Sequence, residues 1–176
     1  MTVPMEGRIA LRNVGRIDPT AIQSYIDAGG YAALRKTLQT PPETIVHQII
    51  QSGLRGRGGA GFLTGLKKKY TSEAACSLVE CMRTIVCNGD EGEPGTFKDR
   101  IIMEQDPHLL IEGILIAAYA VGAEQGYIYV RGEYHRSIER IRTALNQAKA
   151  HGFLENKILV TGFSINLELN LGAGLY

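Results

Sequence analysis

Hydrophobic residues along the chain recur with two different periods, and these divide it into helices and short strands. Ile45, Val46, Ile49 and Ile50 fall on one face of a helix that begins after the Pro41-Pro42 break, with Gly53 as its C-terminal cap. Asp106-Pro107 opens another helix, aspartate at the N-cap and proline in the first turn. Its body, Leu109 to Val121, is apolar on most sides and ends near Gly122, which predicts a central, largely buried helix. Ser137 to Ala150 is amphipathic, with Ile138, Ile141 and Leu145 inward and Gly152 after its end. Three short runs, Thr84 to Cys87, Tyr127 to Val130 and Lys157 to Val160, read as buried strands. Upstream, Ile9, Leu11 and Val14 suit a short extended piece. Asp18-Pro19 opens a helix through about Ala28 that Gly29-Gly30 closes, and Tyr31 to Leu38 adds a helical turn or two. Lys68 to Met82 has no clear period and predicts no element.

Strand, helix, strand, helix, strand is the pattern of an α/β fold, a parallel sheet with flanking helices and right-handed crossovers. The organisation expected is a lead-in segment over 1–41 and one domain over 42–176. Ligands on such sheets bind outside the carboxyl ends of the strands. Two of those ends carry charged, glycine-containing loops, Asn88 to Glu93 and Arg131-Gly132-Glu133.

Composition narrows the function classes. The 176 residues are 44% hydrophobic, enough for a real core. A formal net charge of +1 argues against a dedicated nucleic-acid binder. The start of the chain lacks the basic and apolar segments of a signal peptide, and the longest apolar run, Ile114 to Ala123, is half a membrane span. A soluble, cytoplasmic protein without membrane insertion is expected. Cys76, Cys81 and Cys87 show no Cys-x-x-Cys spacing and read as free thiols, and the scattered His47, His108, His135 and His151 lack metal-ligand spacing.

Glycine is over-represented, and its densest cluster carries the candidate chemistry. Gly53 to Lys67 holds six glycines together with Arg55, Arg57 and Lys67. Backbone N–H groups in such a loop, with cations nearby, form a place for a phosphate or pyrophosphate. Gly56, Gly58 and Gly61 match G-x-G-x-x-G, a weak signal without a preceding strand. A mobile surface loop is the alternative. Phe62 and Tyr70 beside this loop could sandwich an adenine ring or equally pack against the sheet. Asn88, Asp90, Glu91 and Glu93 set four polar acceptors within six residues, either a polar binding loop or a solvated turn answered by Lys98 and Arg100. A carboxylate pair for hydrolysis is disfavoured, because the glycine loop has no role in that chemistry.

Gly53 to Lys67 together with Val86-Cys-Asn-Gly-Asp-Glu-Gly-Glu-Pro-Gly-Thr-Phe-Lys-Asp-Arg100 resembles the NADH-binding flavoprotein subunit of NADH-quinone oxidoreductase (complex I). The same module occurs in NAD-linked hydrogenases and formate dehydrogenases. The likeness continues through Asp106-Pro-His, Leu110-Ile-Glu-Gly, Gly126 to Tyr134 and Leu171 to Tyr176, and Arg8 to Leu38 is similar to the lead-in of the hydrogenase and formate-dehydrogenase branch. It implies a Rossmann-like FMN/NADH-binding domain in which NADH passes hydride to FMN directly, with no side chain acting as base.

On that model Gly56, Arg57, Gly58, Gly59, Ala60, Gly61 and Lys67 contact flavin and dinucleotide, and Phe62 and Tyr70 stack on adenine. Asn88, Asp90 and Glu91 hold the flavin, while Glu93 and Tyr176 face the nicotinamide. The family usually has Pro, Trp and Ala where this chain has Leu63, Lys68 and Gly89. It also continues beyond Tyr176 into further flavin contacts and a domain with 4Fe-4S ligands that this chain lacks. The resemblance therefore implies an N-terminal fragment whose partners are iron–sulfur subunits or domains. A catalytically incomplete remnant, serving as a weak nucleotide-binding or assembly module, is the alternative.

Overall fold

Parallel pairing fixes the centre of the molecule. In the computed structural model, which describes residues 9–57, 59–74 and 82–173, β1 (Thr84–Gly89), β2 (Gln125–Arg131) and β3 (Asn166–Gly172) form one sheet in the order β1-β2-β3. Thr84 pairs with Gln125 and Gly89 with Val130, and Gln125 in turn pairs with Asn166, so all three strands run the same way. Ile128 and Val130 alternate with half-buried neighbours and face the core. The expected α/β architecture is present.

The connections are helical. α5 (Lys98–Gln105) and α6 (Pro107–Val121) link β1 to β2, and α7 (His135–Ala150) links β2 to β3. α6 starts where its signals place it: the Asp106 carboxylate accepts from the Leu109 N–H, and Gly122 adopts the left-handed conformation that ends the helix. Ile111, Leu115 and Ala118 of α6 are fully buried. Burial of each of the two larger side chains contributes about 1.5–3 kcal/mol. α3 (Pro42–Gln51), α4 (Thr64–Glu73) and the short α2 (Ala32–Thr37) pack on α6, and the short α1 (Ile22–Asp27) packs on α7.

Glu112 of α6 explains how the lead-in segment is held. Its carboxylate is almost fully buried and accepts from the Tyr25 hydroxyl and from the Tyr31 and Leu34 N–H groups. The last two belong to the N-terminus of α2, which has no side-chain cap of its own. Glu112 thus caps a helix remote in sequence. Nearby, Asn13 Nδ2 donates to Asp106 Oδ2 at 2.8 Å, and His108 sits between Tyr31 and Gln147.

Several sequence expectations are corrected. Lys157 to Val160 is not a strand but a 3₁₀ turn in which Lys157, Leu159 and Val160 have positive φ, and Val160 is 95% exposed. Only Ile158 of that apolar run is buried, while the third strand lies further on, where Leu167 and Leu169 alternate with Glu168 and Asn170. Residues 9–16 form turns rather than an extended piece. Asp18 does not open a helix: its carboxylate binds the Thr20 N–H and hydroxyl in a local turn, and α1 begins at Ile22. Lys68 lies within α4, and Lys98 to Arg100 begin α5 rather than ending the acidic loop.

Candidate functional site

The glycine loop is a closed, projecting turn. An antiparallel bridge joins Arg55 to Leu63, with Gly56 N–H donating to Phe62 O at 2.9 Å and Thr64 N–H to Leu54 O at 2.8 Å. Arg55 Nη1 donates to Gly61 O at 3.0 Å and braces the neck. Beyond that neck, Gly59 and Gly61 hold positive φ, and a Cβ at either would meet nothing within 4 Å. Their use of glycine is conformational, and the space over them is open. Gly65 differs. It is buried at the α3–α4 contact, where a Cβ would lie 2.5 Å from the Ile50 backbone nitrogen. Arg57 and Ala60 are exposed on the tip, and Gly58 lies outside the described residues.

The loop ends in α4, whose N-terminus has no side-chain cap. The Thr64 N–H of its first turn is taken by Leu54 O, so what this end offers an anion is chiefly the positive end of the helix dipole. The direction of α4 decides what it faces. Arg83, just before β1, donates to Ser72 O near the end of α4, while Lys68 shares a cavity with Ile85, Val86 and Cys87 of β1. α4 therefore runs antiparallel to β1. That orientation carries its N-terminus and the glycine loop toward the carboxyl end of the strand, where the Asn88 to Glu93 loop begins.

Phe62, Lys67 and Tyr70 line one cavity of about 700 Å³ with Thr71, Ala74 and Arg83. Phe62 is 52% and Tyr70 61% exposed, so neither ring is packed against the sheet. Arg83 is a residue that sequence reasoning missed, since it follows a stretch without period. Its Nε is buried and has no hydrogen-bond partner among the described residues, and the residue also borders a second cavity between α3, α4 and the end of α6.

The acidic loop divides into two halves. Glu91 is almost fully buried, and its carboxylate accepts from the Asp99 and Arg100 N–H groups at the start of α5 and from the Tyr134 hydroxyl. Asp90 pairs with Arg131 at 3.2 Å, joining the ends of β1 and β2. The Tyr134 ring in turn lies under the Arg100 and Arg131 guanidinium groups, at 5.6 and 5.5 Å. These bonds make Asp90, Glu91, Arg131 and Tyr134 a frame for the loop. Asn88 and Glu93 remain exposed, although Asn88 Oδ1 accepts from the Asp90 N–H. Arg131 and Tyr134 are further residues whose part in the site was not assigned from sequence, though their charged loop after β2 marked the place. Tyr176 lies outside the described residues, as do Cys76 and Cys81. Cys87 is a free thiol, pushed up to about 11 by burial.

This arrangement has counterparts among known proteins. The chain is 48% identical over 169 residues to a subunit of the NADH-quinone oxidoreductase of Rhizobium meliloti, covering 96% of this chain and 39% of that protein. Over 156 residues it is 50% identical to the corresponding NADH-quinone oxidoreductase protein of Aquifex aeolicus, covering 89% of this chain and 35% of that one. The chain thus spans little more than a third of the length of these relatives. Its fold matches a crystal structure of an NAD+-reducing NiFe hydrogenase in the H2-reduced state, with TM-score 0.68, 29% identity, and coverage of 99% of this chain and 29% of the other. Residues 49–176, which hold the glycine loop, the acidic loop and the whole sheet, match the model of the Nuo51 FMN-binding domain, and the chain belongs to that family.

Proposed function

We propose that the chain is the FMN- and NADH-binding part of an NADH-oxidising flavoprotein. The observation that carries this reading is the open glycine turn feeding an uncapped helix N-terminus, with Phe62, Tyr70 and Lys67 on one cavity beside it. The residues present fit the cofactors chemically: exposed donors and cations for phosphate, exposed rings for a nucleobase, and acceptors for the N–H and hydroxyl groups of a flavin. Gly56 to Gly61, Arg57 and Lys67 would hold phosphate groups, and Phe62 and Tyr70 would stack on adenine. Asn88 would accept from the flavin, with Asp90 and Glu91 fixing the backbone beside it, and Glu93 and Tyr176 would face the nicotinamide. Bound FMN supplies the redox chemistry, accepting hydride from NADH. The chain itself orients the two rings and excludes competing reactions, and no side chain needs to move a proton.

The wider setting follows the same reading. Electrons would leave for iron–sulfur partners in a larger complex of the quinone reductase, hydrogenase or formate dehydrogenase kind, on the cytoplasmic side. No helix among the described residues is long and apolar enough to cross a membrane. The test is an anaerobic titration of FMN into the purified chain, followed by flavin fluorescence, with NADH then added. Saturable quenching and subsequent bleaching of the flavin support the proposal. Free, unquenched flavin throughout the titration defeats it for this chain.

A further inference from the structure

The apolar cleft that Lys68 shares with β1 is separate from the cavity of Phe62, Lys67 and Tyr70. It occupies about 370 Å³ between α4, β1 and α6. Its walls include Ile85 and Cys87 of β1, Leu110 and Ile114 of α6 and Ile102 of α5, and among the described residues its one charged lining residue is Lys68. Successive residues on a helix point about 100° apart, so Lys67 and Lys68 serve different sides of α4. Lys67 faces the cavity of Phe62 and Tyr70, whereas Lys68 faces the β1 cleft.

Four observations bear on what the cleft would take. The Lys68 ammonium has no hydrogen bond or ion pair among the described residues. Burial and, after it, the charge of Lys67 hold that ammonium below the usual lysine range, so a counterion there would be relieving. The Cys87 thiol is pushed up by burial and brings no negative charge of its own. Finally, Gly113 sits in the middle of α6, exposed, and a Cβ on it would meet nothing within 4 Å. Glycine weakens a helix interior, and at this position it leaves the floor of the cleft open.

We infer that this cleft binds a small amphipathic carboxylate, with its acid group on Lys68 and its hydrocarbon chain along α6 over Gly113. The size suits a small ligand, and the surroundings reward hydrocarbon at one end and a single negative charge at the other. Its occupant is distinct from the nucleotides proposed for the glycine loop, and neither reading depends on the other.

Isothermal titration of the whole chain with hexanoate, octanoate and decanoate tests this, with octanol and octylamine as controls. Saturable one-site binding is expected, tightening roughly fourfold for each added methylene until the cleft is full. Octanoate should bind better than octanol, and octylamine worst. Lys68→Gln should erase the preference for the acid while leaving octanol binding in place. Gly113→Phe should abolish both, with the circular dichroism spectrum and thermal midpoint unchanged. Absence of saturable binding overturns the inference, and so does an octanoate affinity indifferent to Lys68→Gln. Competition between octanoate and FMN would also overturn it, by placing the acid in the flavin site.

Discussion

The Glu112 cluster and the glycine loop are both rich in polar groups, yet they dispose of them in opposite ways. Around Glu112 every partner is internal: one hydroxyl and two backbone N–H groups converge on a single buried carboxylate. At the glycine loop the neck is bonded, but Gly59 and Gly61 of the tip and the rings of Phe62 and Tyr70 face open space. Buried polar groups that find partners hold a structure in one arrangement, whereas exposed ones stay accessible. The acidic loop contains both kinds within a few residues, Asp90 and Glu91 bonded inward and Glu93 exposed.

Removing the Glu112 carboxylate should have the largest effect on stability and little on ligand binding. Glu112→Ala strands three buried donors, which costs about 3–5 kcal/mol. A urea denaturation midpoint measures the loss. If the folded variant also lost flavin affinity in proportion, the two regions would not be separable. Next comes Gly65→Ala, which forces a methyl group against the Ile50 backbone and should cost about 1–3 kcal/mol. That substitution separates the packing glycine of the loop sequence from Gly59 and Gly61, whose would-be side chains meet nothing.

What could be read beforehand follows this same division. The caps of α6, the apolar face of α3 and the period of α7 are local signals, and the structure keeps them. The third strand was misplaced because Ile158, Leu159 and Val160 offer more apolar character than the alternating Leu167, Glu168 and Leu169. Positive φ at three of the four positions from Lys157 to Val160 decided against the run. α5 was missed because its cap is Glu91, a residue outside the helix, with no signal at Phe97. Similarly, Glu112 capping α2 is invisible in sequence, since the pair is separated by the whole of α3, α4, β1 and α5. The motif blocks marked the site loops. Which of their acids were spoken for required coordinates.

A smaller effect should appear with Phe62→Ala. More than half of this ring is exposed, so the stability change should stay within about 0.5 kcal/mol. On the proposed function, NADH affinity should fall roughly tenfold, equivalent to about 1.4 kcal/mol. Equal affinities for wild type and variant would remove Phe62 from the nucleotide site and leave the open cavity without a stated occupant.

The smallest effect at neutral pH concerns His108, and it tests the closed region from within. Its Nε2–H donates to Gln147 Oε1 at 3.0 Å, its Nδ1 lies 2.9 Å from the Tyr31 hydroxyl, and Gln147 Nε2 donates on to Thr20 O. This chain of bonds suits the neutral ring, with Nδ1 accepting from Tyr31. Burial lowers the pKa of His108 below its ordinary value of 6.5, and the nearby His151 adds to the shift while the Gln147 bond opposes it. Tyr25, Tyr31, Glu112 and Asp106 face the same pocket. Because the folded pKa is depressed, the unfolded chain takes up the proton first. The contribution of His108 is therefore present above 6.5 and is lost as the pH falls below it. Asp106, whose pKa burial raises, acts in the opposite sense at lower pH, so the usable window for His108 lies just below pH 6.5. Within it, stability should fall with acid at no more than about 1.4 kcal/mol per pH unit for this one proton. His108→Gln, which can still accept from Tyr31 and donate to Gln147, should flatten that slope. Urea midpoints collected across the window would read the difference, and an unchanged slope would mean that the ring is not the group that yields first.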